Sequence, residues 1–203
     1  MTNTNEPKAD CYSQGERRWM VYTQQLRGVW MEPVLSLMAR AGAKPDHLTV
    51  LSLAAGLAFC PLYGPAFPLA LACLALHVLL DGMDGPLARH LGVASRSGSF
   101  TDTMADQTVI TATTLTAVFY GTVHFLPGTV YILTYTVVVL FAMARNALQA
   151  PYSWLFRPRF PVYVWIAVDY YLLPGTLNYV VWACVVLLGA KTLSGFVRIR
   201  RRI

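Results

Sequence analysis

Residues 81–106 read DGMDGPLARHLGVASRSGSFTDTMAD, and this one stretch holds four of the ten acidic residues in a chain of 203. Its frame is D-x-x-D-G-x-x-A-R, eight residues, then G-x-x-x-D-x-x-x-D, set by Asp81, Asp84, Gly85, Ala88, Arg89, Gly98, Asp102 and Asp106. The residues before it, 67–80, are apolar, and Gly82 is the only turn signal at the junction. Asp81 and Asp84 are therefore expected on the last turns of a helix that ends near Leu91. After a polar loop at 92–97, a second helix is expected from about Gly98 to Phe125, with Asp102 and Asp106 in its first two turns. Side chains three, four and seven apart share a helix face, so Asp81, Asp84 and Ala88 form one stripe and Asp102 and Asp106 another. A short loop brings the two stripes together.

Working outward, hydrophobic residues make up 56% of the chain and charged residues 13%, about half the roughly 25% charged content of soluble domains. This is the composition of a membrane protein. The net charge of +6 does not indicate nucleic acid. Its basic residues fall in short clusters beside apolar runs, as topology signals and contacts for anionic lipid do, rather than over one polar face. The cysteines Cys11, Cys60, Cys73 and Cys184 are far apart and lack the spacing of a zinc site or redox motif.

Residues 1–16 form a polar tail without the apolar core of a secretory signal. From 17 to 42, Trp19, Tyr22, Leu26, Trp30, Val34 and Met38 recur at helical spacing with Arg18, Gln24, Arg27 and Glu32 between them, predicting an amphipathic helix in the headgroup plane. Apolar runs follow at 48–67, 67–91, 98–125, 129–147, 162–173 and 176–197. The fifth is only twelve residues, where about twenty are needed to cross, so it must borrow from the basic connection at 152–161 or be partly re-entrant. The expected fold is thus an all-α integral membrane domain over 17–203, with one juxtamembrane helix and six transmembrane helices. Charge placement agrees with this topology. Arg17, Arg18, Arg27, Arg40, Lys44, Arg96, Arg157, Arg159 and the 198–202 cluster fall on one side, whereas the turns at 61–65, 124–128 and 174–177 hold no Lys or Arg. By the positive-inside rule both termini and the acidic motif face the cytoplasm.

Four carboxylates at membrane depth cost on the order of 2.5 to 3.5 kcal/mol each on insertion scales, and they repel one another. Arg89 alone cannot neutralise them, whereas one or two divalent cations can. All-carboxylate ligation is hard-oxygen chemistry, suited to Mg²⁺, Mn²⁺ or Ca²⁺ rather than zinc, and Mg²⁺ points to a phosphate-bearing substrate. Gly85 and Ala88 leave the stripe without bulk, so a nucleotide or pyrophosphate can approach the backbone.

This frame resembles the signature of the CDP-alcohol phosphatidyltransferases, D-G-x-x-A-R, eight residues, G-x-x-x-D-x-x-x-D, met at every fixed position, with Asp81 as the frequent preceding aspartate. The resemblance implies transfer of a phosphatidyl or phospho-alcohol group from a CDP-linked donor, CDP-diacylglycerol or a CDP-alcohol, to an alcohol, with release of CMP. It implies a metal pair, Mg²⁺ or Mn²⁺, on Asp81, Asp84, Asp102 and Asp106, with Asp106 also the general base, and it implies a homodimer in the cell membrane. Gly85, Ala88, Arg89 and Ser95 would contact the nucleotide. A second segment, Asp46, His47, Leu48 and Thr49 after Pro45, is similar to the P-N-x-L-T that helps to bind nucleotide in many members. Here Asp46 replaces Asn, and a carboxylate cannot donate as an amide does; Asp46 or Thr49 could equally cap the helix.

Arg145, the only charge in the fourth run, is read together with Arg157 and Arg159 either as a positive-inside flank or as a site for the phosphate of the acceptor or lipid. His77 reads as a packing residue. Asp169 is expected to pair with Lys191 or to bond Tyr170 or Asn178, outside the site. D-T-M-A-D-Q at 102–107 departs from the D-P-L-A-D-K form of phosphatidylglycerophosphate synthases, so the acceptor is not named by the sequence. Two rival readings are a Mg²⁺-dependent membrane prenyltransferase, whose aspartate motifs are spaced differently, and a divalent-cation transporter, for which the internal repeat common in that class is missing.

Overall fold

The computed structural model describes residues 31–153 and 157–202. Among them are seven helical segments and no strand: α1 over 31–40, α2 Pro45–Leu62, α3 Phe67–His90, α4 Arg96–Phe119, α5 Phe125–Ala147, α6 Arg159–Tyr171 and α7 Leu177–Arg200. The part of the expected amphipathic helix at 17–30, and the tail before it, lie outside the described residues.

The helix limits follow from local chemistry. Pro45 and Pro68 stand in the first turns of α2 and α3, where an amide N–H has no helical partner to lose. At the end of α3, Gly92 takes φ 69°. Its N–H donates to Arg89 O at 3.1 Å, and Val93 N–H donates to Ala88 O at 2.9 Å, a double bond pattern that closes the helix and turns the chain into the 92–95 loop. α5 begins at Phe125 rather than after the Pro127-Gly128 pair, because proline is tolerated in a first turn. α6 does borrow from the basic connection, starting at Arg159, but it has only 13 residues.

Helices α2, α3, α5 and α7 are long and apolar enough to cross a membrane. α6 is too short, and α4, although 24 residues long, falls below that apolarity because it carries Arg96, Asp102, Asp106 and seven threonines. Each of those threonine hydroxyls donates to the carbonyl four residues back, at 2.7 to 3.0 Å. A helix rich in hydroxyls thus presents few unsatisfied polar groups to an apolar environment. Large apolar side chains stand exposed along the other helices, among them Leu79, Leu133, Val164 and Val186, each more than 60% accessible. Together with the four apolar helices, this outer surface is that of a multi-pass membrane protein.

α2 packs against α3 and α4, α5 against α7 and α4, and α6 against α7. The main core joins Phe59, Leu74, Val109, Tyr131, Ile166 and Val181 from six helices. A smaller cluster of Leu35, Leu48 and Leu87 seats α1 on the ends of α2 and α3 that lie next to the aspartates. At the opposite end, Asn178 accepts from His124 N–H at 2.8 Å and donates to Thr122 O at 3.2 Å. Asp169, expected to pair with Lys191, Tyr170 or Asn178, instead accepts the Leu177 N–H at 2.7 Å. The acid satisfies one of the amides that every helix start leaves open.

The approach of α2 to α4 depends on Gly56. A Cβ there would stand 2.6 Å from both Val109 methyls and 3.2 Å from the His77 ring. Gly56→Ala is expected to destabilise the protein by about 1–3 kcal/mol through overpacking, read as a lower thermal midpoint in detergent; an unchanged midpoint would mean that the helices do not meet there.

Candidate active site

The last three turns of α3 and the first three of α4 face each other and carry the acidic frame. Asp84 is buried, at 6% exposure. Its Oδ2 accepts from Thr49 Oγ1 at 2.8 Å, and its Oδ1 from the Gly85 N–H at 2.5 Å. Thr49 thus caps nothing: its hydroxyl ties α2 to the acid on α3. Asp102 adjoins Asp81 and Asp84, and Asp106 adjoins Asp81. The two stripes predicted by helical spacing therefore form one group of four carboxylates.

Arg159, the first residue of α6 and only 4% exposed, enters this group. Its Nη2 donates to Asp81 Oδ2 at 2.8 Å, and its Nη1 pairs with Asp106 Oδ2. The guanidinium carbon also lies 4.7 Å from the centre of the Phe160 ring. Asp106 Oδ1 is buried without a hydrogen-bond partner and faces His77 Nε2, equally unpartnered, at 3.9 Å. The His77 ring is fixed from its other side, with Nδ1 2.8 Å from Ser52 Oγ. It is the packing residue the sequence suggested, with one polar atom turned to the site.

The remaining sequence candidates divide. Gly85 and Arg89 lie together at the open end of α3; a Cβ on Gly85 would stand 3.4 Å from Arg89 Nη1. Ala88 is half-buried on the same helix. Ser95 sits at the start of α4, where its hydroxyl accepts from Gly98 N–H at 3.0 Å. Asp46 and His47 are exposed in the first turn of α2, while Leu48 packs in the α1 cluster. Arg145 stands apart from the acids. Its Nε donates to Ala150 O at 2.8 Å and its Nη2 to Pro151 O at 3.1 Å, and its guanidinium lies 3.8 Å over the Tyr152 ring, so it orders the α5–α6 connection. Arg157 is half-exposed in that connection.

Two partners of the acids carry no mark in the sequence. Thr49, expected as a nucleotide contact or helix cap, and Arg159, expected as a flank or phosphate site, each bond aspartates of the frame.

The donor set is that of a hard divalent cation: four carboxylates, one of them with an unpartnered buried oxygen. The side-chain arrangement, however, closes on Arg159. Among the described residues no group of three or more His, Cys, Asp or Glu is disposed to hold a metal ion. Donor chemistry and total charge fit the ion; the present rotamers are those of an arginine-paired cluster.

Residues 43–190 match the CDP-alcohol phosphatidyltransferase family, and the chain belongs to that family. It is 37% identical over 110 residues to the CDP-diacylglycerol–serine O-phosphatidyltransferase of Mycobacterium bovis, a match covering 52% of this chain and 38% of that protein. Against the enzyme of the same name from Mycobacterium leprae it is 40% identical over 111 residues, covering 51% and 36%. The matches thus span well under half the length of these relatives. The crystal structure of Mycobacterium tuberculosis phosphatidylinositol phosphate synthase with CDP-DAG bound shares the fold, with a TM-score of 0.68 at 19% identity over 82% of this chain and 92% of that one.

The Thr49–Asp84 bond yields a test of the site's construction. Thr49→Val leaves a buried carboxylate oxygen without its donor and is expected to cost about 1–3 kcal/mol, whereas Thr49→Ser retains the bond and most of the stability. Thermal unfolding of both variants in detergent checks this; equal losses would assign the effect to packing.

Proposed function

We propose that the protein transfers a phosphatidyl group from CDP-diacylglycerol to a hydroxyl acceptor and releases CMP, using one or two Mg²⁺ or Mn²⁺ ions on Asp81, Asp84, Asp102 and Asp106. The observation that carries this reading is the convergence of these four aspartates at the mouth of a family fold. Of the two donor forms, the lipid-linked one is favoured by the relatives, whose names specify CDP-diacylglycerol and, as acceptor, serine. Serine is therefore the first acceptor to test, ahead of a phospho-alcohol moved from a CDP-alcohol.

In this reading the acceptor oxygen bonds to the lipid-side phosphorus of the donor, the pyrophosphate bridge breaks, and CMP leaves with the bridging oxygen. Divalent ions, when bound, neutralise the pyrophosphate and the charge that develops on CMP. Asp106 takes the proton of the attacking hydroxyl, and its Oδ1, which has no partner, is the oxygen free to do so. Arg89, beside the bare Cα of Gly85 at the exposed end of α3, meets the nucleotide's phosphates, with Ala88 leaving them room. Asp46 and His47, exposed at the start of α2, and Ser95 complete the nucleotide side. The apolar helices keep the diacylglycerol in the bilayer while the polar reaction occurs at its edge.

The same reading takes α2 to α7 as six spans, with α4 and α6 accepted in the membrane through packing and internal hydroxyl bonding. It places both termini and the aspartates on the cytoplasmic side, lays α1 along the headgroups, and pairs two copies as a homodimer.

Asp106→Asn is expected to lower CMP release from CDP-diacylglycerol and serine by about 10²- to 10⁴-fold, the range of general-base catalysis, while the donor still binds. Near-normal turnover of that variant would remove Asp106 from the proton transfer. Diphosphate release from a prenyl diphosphate by the wild-type protein, without CMP release, would overturn the assignment.

A further inference from the structure

Arg159 answers a problem that the metal reading leaves open. Four carboxylates grouped at the edge of an apolar bundle repel one another, and a protein that binds its metal reversibly must survive without it. Removing one partner from a buried ion pair is strongly destabilising, so a metal-free cluster with no internal cation must take up protons or open. Arg159 supplies that cation. It is buried to 4% exposure, and its two terminal nitrogens reach one acid on each helix, Asp81 on α3 and Asp106 on α4. A planar guanidinium can bridge two carboxylates in this way; an ammonium is a single point of charge.

Asp81 and Asp106 each give an oxygen to the guanidinium, and a divalent ion would need the oxygens and the space that Arg159 holds. Two cations cannot share that space without repulsion. Arg159 is the first residue of α6, directly after Pro158, so its side chain can withdraw without breaking the interior of a helix.

We propose that Arg159 is a positioning residue that serves as a resident counter-cation: it holds Asp81 and Asp106 together in the metal-free protein and is displaced when a divalent ion binds. The inference rests on the metal reading of the aspartate cluster. Apparent metal affinity is then reduced by the fraction of molecules in the arginine-paired state.

The test measures Mn²⁺ binding to the full chain in detergent by the electron paramagnetic resonance signal of free Mn²⁺, with no nucleotide or acceptor present. Arg159→Gln is expected to bind Mn²⁺ about tenfold or more tightly than wild type, as follows when a competing state of roughly 90% occupancy is removed. Its thermal midpoint in EDTA is expected to fall, and the rise on adding Mn²⁺ to exceed that of wild type. A merely structural role would weaken metal binding on substitution, so tightening is the diagnostic sign. Should Arg159→Gln fail to fold, Arg159→Lys decides by the same comparison, because a lysine cannot span both acids and should also bind Mn²⁺ more tightly than wild type. Mn²⁺ affinity equal to or weaker than wild type in the folded variant overturns the role of Arg159. Absence of Mn²⁺ binding by wild type and both variants overturns the metal reading itself, and the inference with it.

Discussion

The structure depends on keeping four carboxylates close together in an apolar bundle. The surrounding features each reduce that cost locally. Thr49 donates a hydrogen bond to Asp84, the Gly85 amide donates another, and Arg159 spans Asp81 and Asp106. These contacts draw on α2, α3, α4 and α6, so the site and the fold hold each other: helix packing gathers the acids, and pairing the acids holds the helices. Gly56, where α2 and α4 come closest, serves the same end by letting the helix that carries Thr49 approach the helix that carries Asp106.

α4 illustrates how one element meets two demands. It must carry Asp102 and Asp106 at one end and pack within an apolar bundle at the other. Threonine at seven positions is compatible with both, because each hydroxyl is returned to its own backbone four residues earlier. Such a helix is less apolar by composition than its neighbours and still presents little unsatisfied polarity. At the far end, Asp169 on the Leu177 amide and Asn178 on the α4–α5 turn close the bundle through hydrogen bonds to the backbone.

Much of this was legible in the sequence because helical spacing is local. The period of 3.6 residues put Asp81 with Asp84 and Asp102 with Asp106, and the polar loop between them implied that the two stripes face each other. The helix order followed from apolar runs and from Pro and Gly punctuation, with limits shifting by a few residues: Pro127 was absorbed into the first turn of α5, and α4 stops at Phe119 rather than at Phe125. Partners distant along the chain were not legible. Thr49 lies 35 positions from Asp84, and Arg159 lies 78 from Asp81; an arginine beside an apolar run reads as a topology signal until a neighbouring helix brings it inward. Asp169 departs from its expected side-chain partners for a related reason, since it bonds a backbone amide that no side-chain pattern marks. The residues that carry the family frame were therefore readable, and the groups that make the frame tolerable in an apolar bundle were not.

The central claim is that the aspartate group exists to hold divalent metal against a CDP-linked donor. Anomalous X-ray scattering from crystals of the protein grown with Mn²⁺ and CDP-diacylglycerol measures this directly. The expected result is manganese density among Asp81, Asp84, Asp102 and Asp106, beside the donor's pyrophosphate and with Arg159 withdrawn. Donor bound with no manganese at the aspartates, and Arg159 still joining Asp81 to Asp106, would contradict it.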